Sequence, residues 1–301
     1  MIKTAFIVNG KSKNKKRFAR DLDRYRHQLA GEFTVVHTSQ AGHALYLAKE
    51  LANEDFTHLI AVGGDGTLHE VVNGVQRSKN PACAVGLLPG GTANDFAKTM
   101  DARWQFEELV GMINNRVSIP IHLGLITFND GSQKHFVNIA DLGLGVDVVR
   151  RVNRSRRWLG ANFTFFKAII ISLLTYKNKA IRVKTRDWEW GGKINSFVMA
   201  NGKYFGSGLC IAPAANPLHD NFSIVIIGDI TIKDYLKHVG KLKKGQRLQH
   251  PAVTYKTADT LEITAEAQAA LGTEADGEFI GYGSFRVTLA PQKLNFIQKM
   301  H

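Results

Sequence analysis

Apolar positions along this chain follow two grammars. In the first part, short apolar runs alternate with stretches whose apolar residues recur three and four positions apart. Residues 2–8 and 33–37 read as strands, and residues 57–62 and 83–88 repeat the pattern. A basic segment running to about Leu29 reads as a helix. Ala44, Leu45, Leu47, Ala48 and Leu51 mark a second helix, and Leu68, Val71, Val72 and Val75 a third. A further helix is predicted from about Phe96. Strands that alternate with helices argue for a parallel sheet covered on both faces.

After about Pro120 the pattern changes. Residues 123–128 and 134–140 read as paired strands around Asn129-Asp130-Gly131, a good hairpin turn. Residues 142–147 lead into a block of arginines. Residues 162–176 form an apolar helix, predicted to pack on a sheet. In the rival reading Trp158, Phe163, Phe165 and Phe166, beside those arginines, touch a membrane. Strands recur at residues 180–188, 193–200, 222–227, 253–256, 261–264 and 284–289. The expected fold is an α/β domain with a parallel sheet over residues 1–120, followed by a mainly antiparallel β domain over residues 121–289.

Length and composition change this picture little. The chain has 301 residues, enough for two domains. Cys83 and Cys210 both sit in apolar contexts and read as buried thiols in a reducing compartment. The opening residues lead directly into a strand, and the longest apolar run falls short of the roughly 20 residues that span a bilayer. A soluble, cytoplasmic protein is the expectation. Charge is more telling. The net charge of +13 is clustered: Lys11, Lys13, Lys15, Lys16, Arg17, Arg20, Arg24 and Arg26 form one block. Arg150, Arg151, Arg154, Arg156 and Arg157 form a second, and no acid occurs in residues 148–186. Lys237, Lys241, Lys243, Lys244 and Arg247 form a third. Each block taken alone reads as a solvated face. Three together favour a polyanionic partner such as an anionic membrane surface.

The candidate chemistry lies in two strand–turn–helix units. Gly63-Gly64-Asp65-Gly66-Thr67 follows one strand, and Pro89-Gly90-Gly91-Thr92-Ala93-Asn94-Asp95 follows the next. Such glycines let a ligand approach the backbone closely. A helix start just beyond offers N–H groups and the positive end of the dipole, which suits phosphate. Asp65 and Asp95 put carboxylates beside that phosphate, where Mg²⁺ is needed. Ligands of such sheets bind beyond the carboxyl ends of strands, where Asn9, Thr38, Gly64, Thr67, Gly91 and Thr92 all fall. Farther on, Glu274-Ala275-Asp276-Gly277-Glu278 places three carboxylates in five residues. Alternate residues of an extended chain share a face, so this run is expected to point Glu274, Asp276 and Glu278 into one cleft. The chain has no Gly-x-x-x-x-Gly-Lys-Ser/Thr sequence, which excludes a P-loop enzyme.

The two glycine turns together resemble the diacylglycerol and sphingosine lipid kinase superfamily, most closely its soluble bacterial members. Gly-Gly-Asp-Gly alone is shared with NAD kinases and phosphofructokinases; the pair at this spacing is the stronger signal. Residues 201–209 and Ala212-Pro213-Ala214-Ala215 look like the family's later glycine-rich segment. At Asn9-Gly10-Lys11-Ser12 the family's proline and last glycine are absent. At Asp220-Asn221-Phe222-Ser223 the glycine and second aspartate of a structural Mg²⁺ site are absent, and a turn-capping role for Asp220 is the alternative.

The resemblance implies ATP and Mg²⁺ as cofactors, a lipid substrate and peripheral attachment to the inner membrane face. It leaves a homodimer open and implies no nucleic acid. It further implies that the tail at residues 290–301 returns to complete the first domain. ATP would be bound by Asn9, Ser12, Thr38, Gly63, Gly64, Asp65, Gly66, Thr67, Glu70, Gly91 and Thr92. Asp65 and Asp95 would hold Mg²⁺ through water, joined by Glu278, and Asp276 would be the general base for the lipid hydroxyl. Three other readings stay open: an NAD kinase-like enzyme, a nucleic-acid-binding protein using the basic blocks, and a catalytically silent regulator.

Overall fold

The computed structural model of the protein describes residues 1–12, 14–91, 93–102, 104–155, 160–265 and 271–299. Lys13, Thr92, Arg156, Arg157 and Trp158, all named above, lie outside the described residues. The chain divides into two units, Met1–His122 with Pro291–His301, and Leu123–Ala290.

The first unit alternates as its apolar runs predict. β1 (Lys3–Val8), α1 (Lys15–Tyr25), β2 (Glu32–His37), α2 (His43–Asn53), β3 (His58–Gly63), α3 (Asp65–Gln76) and β4 (Ala84–Pro89) follow in order. Two helices, α4 (Asp95–Thr99) and α5 (Phe106–Asn114), and a short β5 (Ile119–Ile121) complete the first pass. α4 is only five residues long, and α5 has no counterpart in the apolar periodicity. Its start is set instead by the Glu108 carboxylate, which accepts the Gln105 N–H at 2.8 Å. On one face of this unit Phe6, Phe18 and Phe106 pack together, with Phe6 and Phe106 stacked at 5.9 Å between ring centres.

The second unit opens with the antiparallel pair β6 (Gly124–Phe128) and β7 (Gln133–Phe136), then β8 (Ile139–Gly143), α6 (Leu144–Arg154) and α7 (Ala161–Thr175). Strands β9 (Lys179–Thr185), β10 (Glu189–Ile194) and β11 (Ser196–Ala200) follow, with a two-stranded ribbon of β12 (Tyr204–Phe205) and β13 (Leu209–Cys210). β14 (Phe222–Ile227), α8 (Ile232–Lys243), β15 (Val253–Ala258), β16 (Thr260–Ala265), β17 (Gly272–Ala275), β18 (Glu278–Tyr282) and β19 (Phe285–Leu289) close it. The chain then returns to the first unit as β20 (Leu294–Phe296).

In the first unit the sheet order is β2-β1-β3-β4-β20-β5. β1 to β4 are parallel, β20 joins β4 in parallel, and β5 is the antiparallel edge. The second unit has two antiparallel six-stranded sheets, β10-β9-β16-β19-β6-β7 and β15-β14-β11-β8-β17-β18. Phe136 and Phe222, 5.5 Å apart, and Phe128 and Phe285, 5.6 Å apart, belong to one buried cluster with residues of both sheets. The second sheet's other face carries the helices: Ile139, Val198 and Val225 pack with Val148, Val152, Ala168, Ile169 and Leu242. Free Cys83 and Cys210 are both buried, and burial pushes the Cys83 thiol up to about 12.

Two predicted strands are in fact broken. Residues 134–140 split at Val137 and Asn138, so that β7 stays in one sheet and β8 enters the other. The backbone N–H groups at the break turn to a side chain, the Asp276 carboxylate. Residues 193–200 split at Asn195, whose N–H goes to the Ile227 carbonyl and whose carbonyl accepts from Leu144. The apolar helix at residues 162–176 packs on the sheet through buried Ala168 and Ile169, while Phe163, Phe166 and Leu174 are exposed. Among the described residues, no helix is long and apolar enough to cross a membrane.

Candidate functional site

Parallel pairing brings four strand ends of the first unit to one edge. Thr38 N–H donates to Val8 O at 2.9 Å, Asn9 N–H to Val62 O at 3.0 Å and Gly90 N–H to Gly63 O at 2.7 Å. The turns therefore start level with one another. Gly10 N–H donates to Thr38 Oγ1 at 3.1 Å. Asn9 Nδ2 donates to Thr67 Oγ1 at 3.0 Å, and Asn9 Oδ1 accepts from Lys11 N at 2.9 Å. Ser12 Oγ reaches the Gly90 carbonyl at 3.4 Å, and the Lys15 ammonium donates to Gly10 O.

The two glycine turns touch backbone to backbone. A Cβ placed on Gly91 would lie 2.5 Å from Gly64 Cα and 2.9 Å from Asn94 Oδ1, so no side chain fits there. Asn94 adopts φ of 49° and staples the turn. Its Oδ1 accepts Gly91 N–H and its Nδ2 donates to Gly91 O, each at 3.0 Å. Asn tolerates this left-handed conformation better than most residues.

Carboxylates tie these turns together. Asp65 accepts the Asp95 N–H at 3.1 Å and the Phe96 N–H at 3.0 Å, and so caps α4 from the neighbouring turn. Asp95 is buried and accepts from the Lys98 ammonium at 3.2 Å. Glu70, expected on the nucleotide, caps α2 instead: its two oxygens accept Gly42 N–H at 2.8 Å and Ala44 N–H at 2.9 Å. The N-cap of α3 is Gly64, which has no side chain to cap the helix start. Its first-turn amides and positive dipole end lie at the glycine edge, where an anion is stabilised.

The acidic run of the second unit is not one extended strand. Glu274 ends in β17, Asp276 and Gly277 form the turn with φ of 52° and 86°, and Glu278 begins β18. This corrects the shared-face expectation: Asp-Gly is a hairpin-turn dipeptide that accepts positive φ at both positions. Glu278 is exposed. Asp276 accepts from Val137 N at 2.9 Å, Asn138 N at 2.9 Å and Ile139 N at 3.1 Å, so its carboxylate is held in a fixed orientation. Asn138 and Asn201 brace the same loop, through Tyr204 O and Val137 O.

Glu274 is buried opposite Asp141, its cross-strand partner on β8. Burial pushes both carboxyl groups well above the usual range, and for Glu274 the neighbouring Asp141 adds to it. The hairpin is also pinned to α6. The Arg150 guanidinium lies 4.4 Å over the Phe279 ring and donates to Tyr282 Oη. Asp220 is exposed, and among the described residues no three His, Cys, Asp or Glu side chains gather to hold a metal.

The sequence assigned no site role to Asn94, Asn138, Asn201 or Lys15, although Asn94 and Asn201 lie in its glycine-rich motifs and Lys15 in its first basic block. Only Asn94 carries a local signal, an Asn three residues after a glycine pair and just before a helix.

Comparison with known proteins follows the same division of the chain. The diacylglycerol kinase catalytic domain matches residues 3–126. The YegS C-terminal NAD kinase beta sandwich-like domain matches residues 138–298, more than half of the chain. A diacylglycerol kinase of Staphylococcus carnosus is 27% identical over 286 residues, which cover 93% of this chain and 90% of that protein. One of Bacillus subtilis is 24% identical over 295 residues, 95% of each. A crystal structure of a diacylglycerol kinase from Bacillus anthracis aligns with TM-score 0.70 at 16% identity, covering 99% of this chain and 97% of that one.

Proposed function

This chain belongs to the family of diacylglycerol kinase-type lipid kinases, and from that premise we propose that it transfers the γ-phosphoryl group of ATP to the hydroxyl of a membrane lipid. Diacylglycerol is the proposed acceptor, giving phosphatidic acid. The observation that carries this reading is the contact of the Gly64 and Gly91 turns, stapled by Asp65 across the edge where β1, β3 and β4 end. A triphosphate suits that edge: it offers close backbone approach, the amides of α3 and the ammonium groups of Lys15 and Lys98. Phosphoryl transfer is catalysed mainly by positioning and by neutralising charge, and this edge supplies both.

Asn9, Ser12, Thr38 and Thr67 are bonded to one another's turns and so set the shape of the phosphate cradle. Glu70 supports it through α2. Asp65 and Asp95 are the carboxylates that would hold a magnesium ion through water. Two carboxylates fit an ion that keeps most of its waters and arrives with the nucleotide, the usual habit of Mg²⁺. When bound, that ion offsets phosphate charge. On the second unit Asp276 is assigned as the base that takes the lipid hydroxyl proton, with its orientation fixed by the amides of residues 137–139. Glu278 is assigned to the hydrated-metal network. The enzyme works in the cytoplasm, held at an anionic membrane face by its basic surface.

Gly91→Ala tests the nucleotide assignment. The added methyl forces the Gly64 and Gly91 turns apart, at a cost of about 1–3 kcal/mol for overpacking. In calorimetric titration the dissociation constant for ATP with Mg²⁺ is expected to rise at least about tenfold, since one lost charge-assisted contact is worth about that much. A folded variant that binds ATP as wild type does would remove the glycine turns from the nucleotide site.

A further inference from the structure

We propose that α7 and α8 form the surface by which this protein docks on an anionic lipid bilayer. Phe163, Phe166 and Leu174 would enter the interface, and the α8 lysines would lie against the headgroups.

α7 carries apolar side chains on both of its faces. Its inner face packs through Ala168 and Ile169, but Phe163, Phe166 and Leu174 are 49%, 40% and 69% exposed. They fall at spacings of three and eight, on one side of a helix, with half-buried Ile170 between them. Scattered exposed apolar residues are ordinary; an aligned aromatic and aliphatic stripe marks an interaction surface.

α8 lies beside it, with the Phe166 and Tyr235 rings 6.2 Å apart. Lys233, Lys237 and Lys241, four apart along α8, are exposed together with Leu236 and the C-cap residue Lys244. An exposed leucine flanked by lysines, next to a phenylalanine stripe, is the make-up of a helix that lies in a membrane interface. The lysine stems can cover apolar surface while their ammonium groups reach phosphates.

Charge selects the occupant. Residues 148–186 contain no acid. Asp234, the one acid on α8, is already bonded to Thr231 and close to His250. Just past Leu174, a cavity of about 370 Å³ is lined by Asp147, Arg151, Thr175, Tyr176, Lys177 and Lys179, three cations against one carboxylate. Arg151 is fixed there by Asp147, Ser172 and Thr175. A pocket of that size and sign suits the phosphate of an acidic headgroup. α1 is also basic, but its one buried residue is Phe18 and it shows no exposed large apolar side chain. It can attract a membrane but has nothing to insert.

The proposed function enters only in giving the docked enzyme a substrate; docking is read without turnover. The test is co-sedimentation with vesicles of phosphatidylcholine alone and of phosphatidylcholine mixed with phosphatidylglycerol. Wild type is expected to sediment with the mixed vesicles, less so at high salt. Each lysine near an anionic surface contributes about fivefold in partition. Reversing Lys233, Lys237, Lys241 and Lys244 to Glu is therefore expected to lower partition by at least about a hundredfold. The variant Phe163→Ser, Phe166→Ser, Leu174→Ser is expected to lower it at least about tenfold with the melting temperature unchanged, because these side chains are exposed. Both variants should still phosphorylate a soluble short-chain diacylglycerol at the wild-type rate. In Phe166→Trp, emission should shift to shorter wavelength when mixed vesicles are added. Three outcomes overturn the proposal: sedimentation unchanged in the folded serine variant, no emission shift in Phe166→Trp, or a loss of dimer with vesicle binding intact, which would make a second copy the occupant.

Discussion

Replacing Asp276 by asparagine is expected to lower kcat by at least about a hundredfold while leaving ATP affinity close to that of wild type. Asparagine tolerates the positive φ of this turn and keeps the size of the side chain. It cannot accept the hydroxyl proton, and its amide cannot accept hydrogen bonds through nitrogen. The N–H groups of Val137, Asn138 and Ile139 now share two carboxylate oxygens. One or more would lose its acceptor, at about 1–3 kcal/mol. The variant should therefore also melt earlier, and that loss must be separated from the catalytic one. Asn138→Ala makes the separation, because it loosens the same loop through the lost bond to Tyr204 O without touching the carboxylate. If Asp276 is the base, Asn138→Ala loses stability and little kcat. Equal losses of kcat in the two variants, at equal losses of stability, would reduce Asp276 to an anchor for the strand break at residues 137–138.

The second large effect is expected at Asp65. Alanine there removes the acceptor for the Asp95 and Phe96 amides and unfastens one glycine turn from the other. Loss of such a cap costs about 0.5–2 kcal/mol. Turnover should fall much further, by at least about a hundredfold, because the carboxylate proposed to hold Mg²⁺ through water is lost together with the spacing of the turns. Asp65→Asn keeps one oxygen acceptor and none of the charge. It should recover part of the melting temperature and little of the rate. Recovery of both together would make Asp65 a capping residue with no part in catalysis. Steady-state kinetics beside thermal unfolding decide between these outcomes.

The parts of this protein that are legible in its sequence are those fixed by neighbours in the chain. The strands ending at Val8, His37, Gly63 and Pro89 announce themselves as apolar runs, and the turns after the last two as glycines. Three helices, α5, α6 and α8, were missed, two of them although local signals existed. α5 and α8 begin with side chains that cap their own first turn, Glu108 on Gln105 and Asp234 on Thr231, but their apolar spacing is weak. What local reading could not reach was set by distant partners. The break between β7 and β8 is held by Asp276, nearly 140 positions away. The burial of Glu274 follows from its pairing with Asp141. The acidic run shows the cost of reading alternation without turn chemistry. Asp276-Gly277 is itself a hairpin signal, and giving it weight would have separated Glu274 from Glu278.

Glu70 gives the opposite case. The resemblance places it on the nucleotide, whereas its oxygens are taken up by the start of α2. A carboxylate on one helix that caps its neighbour leaves no periodic trace, and only tertiary geometry reveals it.

The proposed reaction moves a phosphoryl group from ATP to a lipid hydroxyl. Its most direct test is an assay of labelled ATP against a panel of lipids in mixed micelles, with NAD as the competing acceptor. Label is expected in the organic phase, most of all with diacylglycerol, and only when Mg²⁺ is present. Label that stays in the aqueous phase on NAD, with no lipid product from any member of the panel, would contradict it.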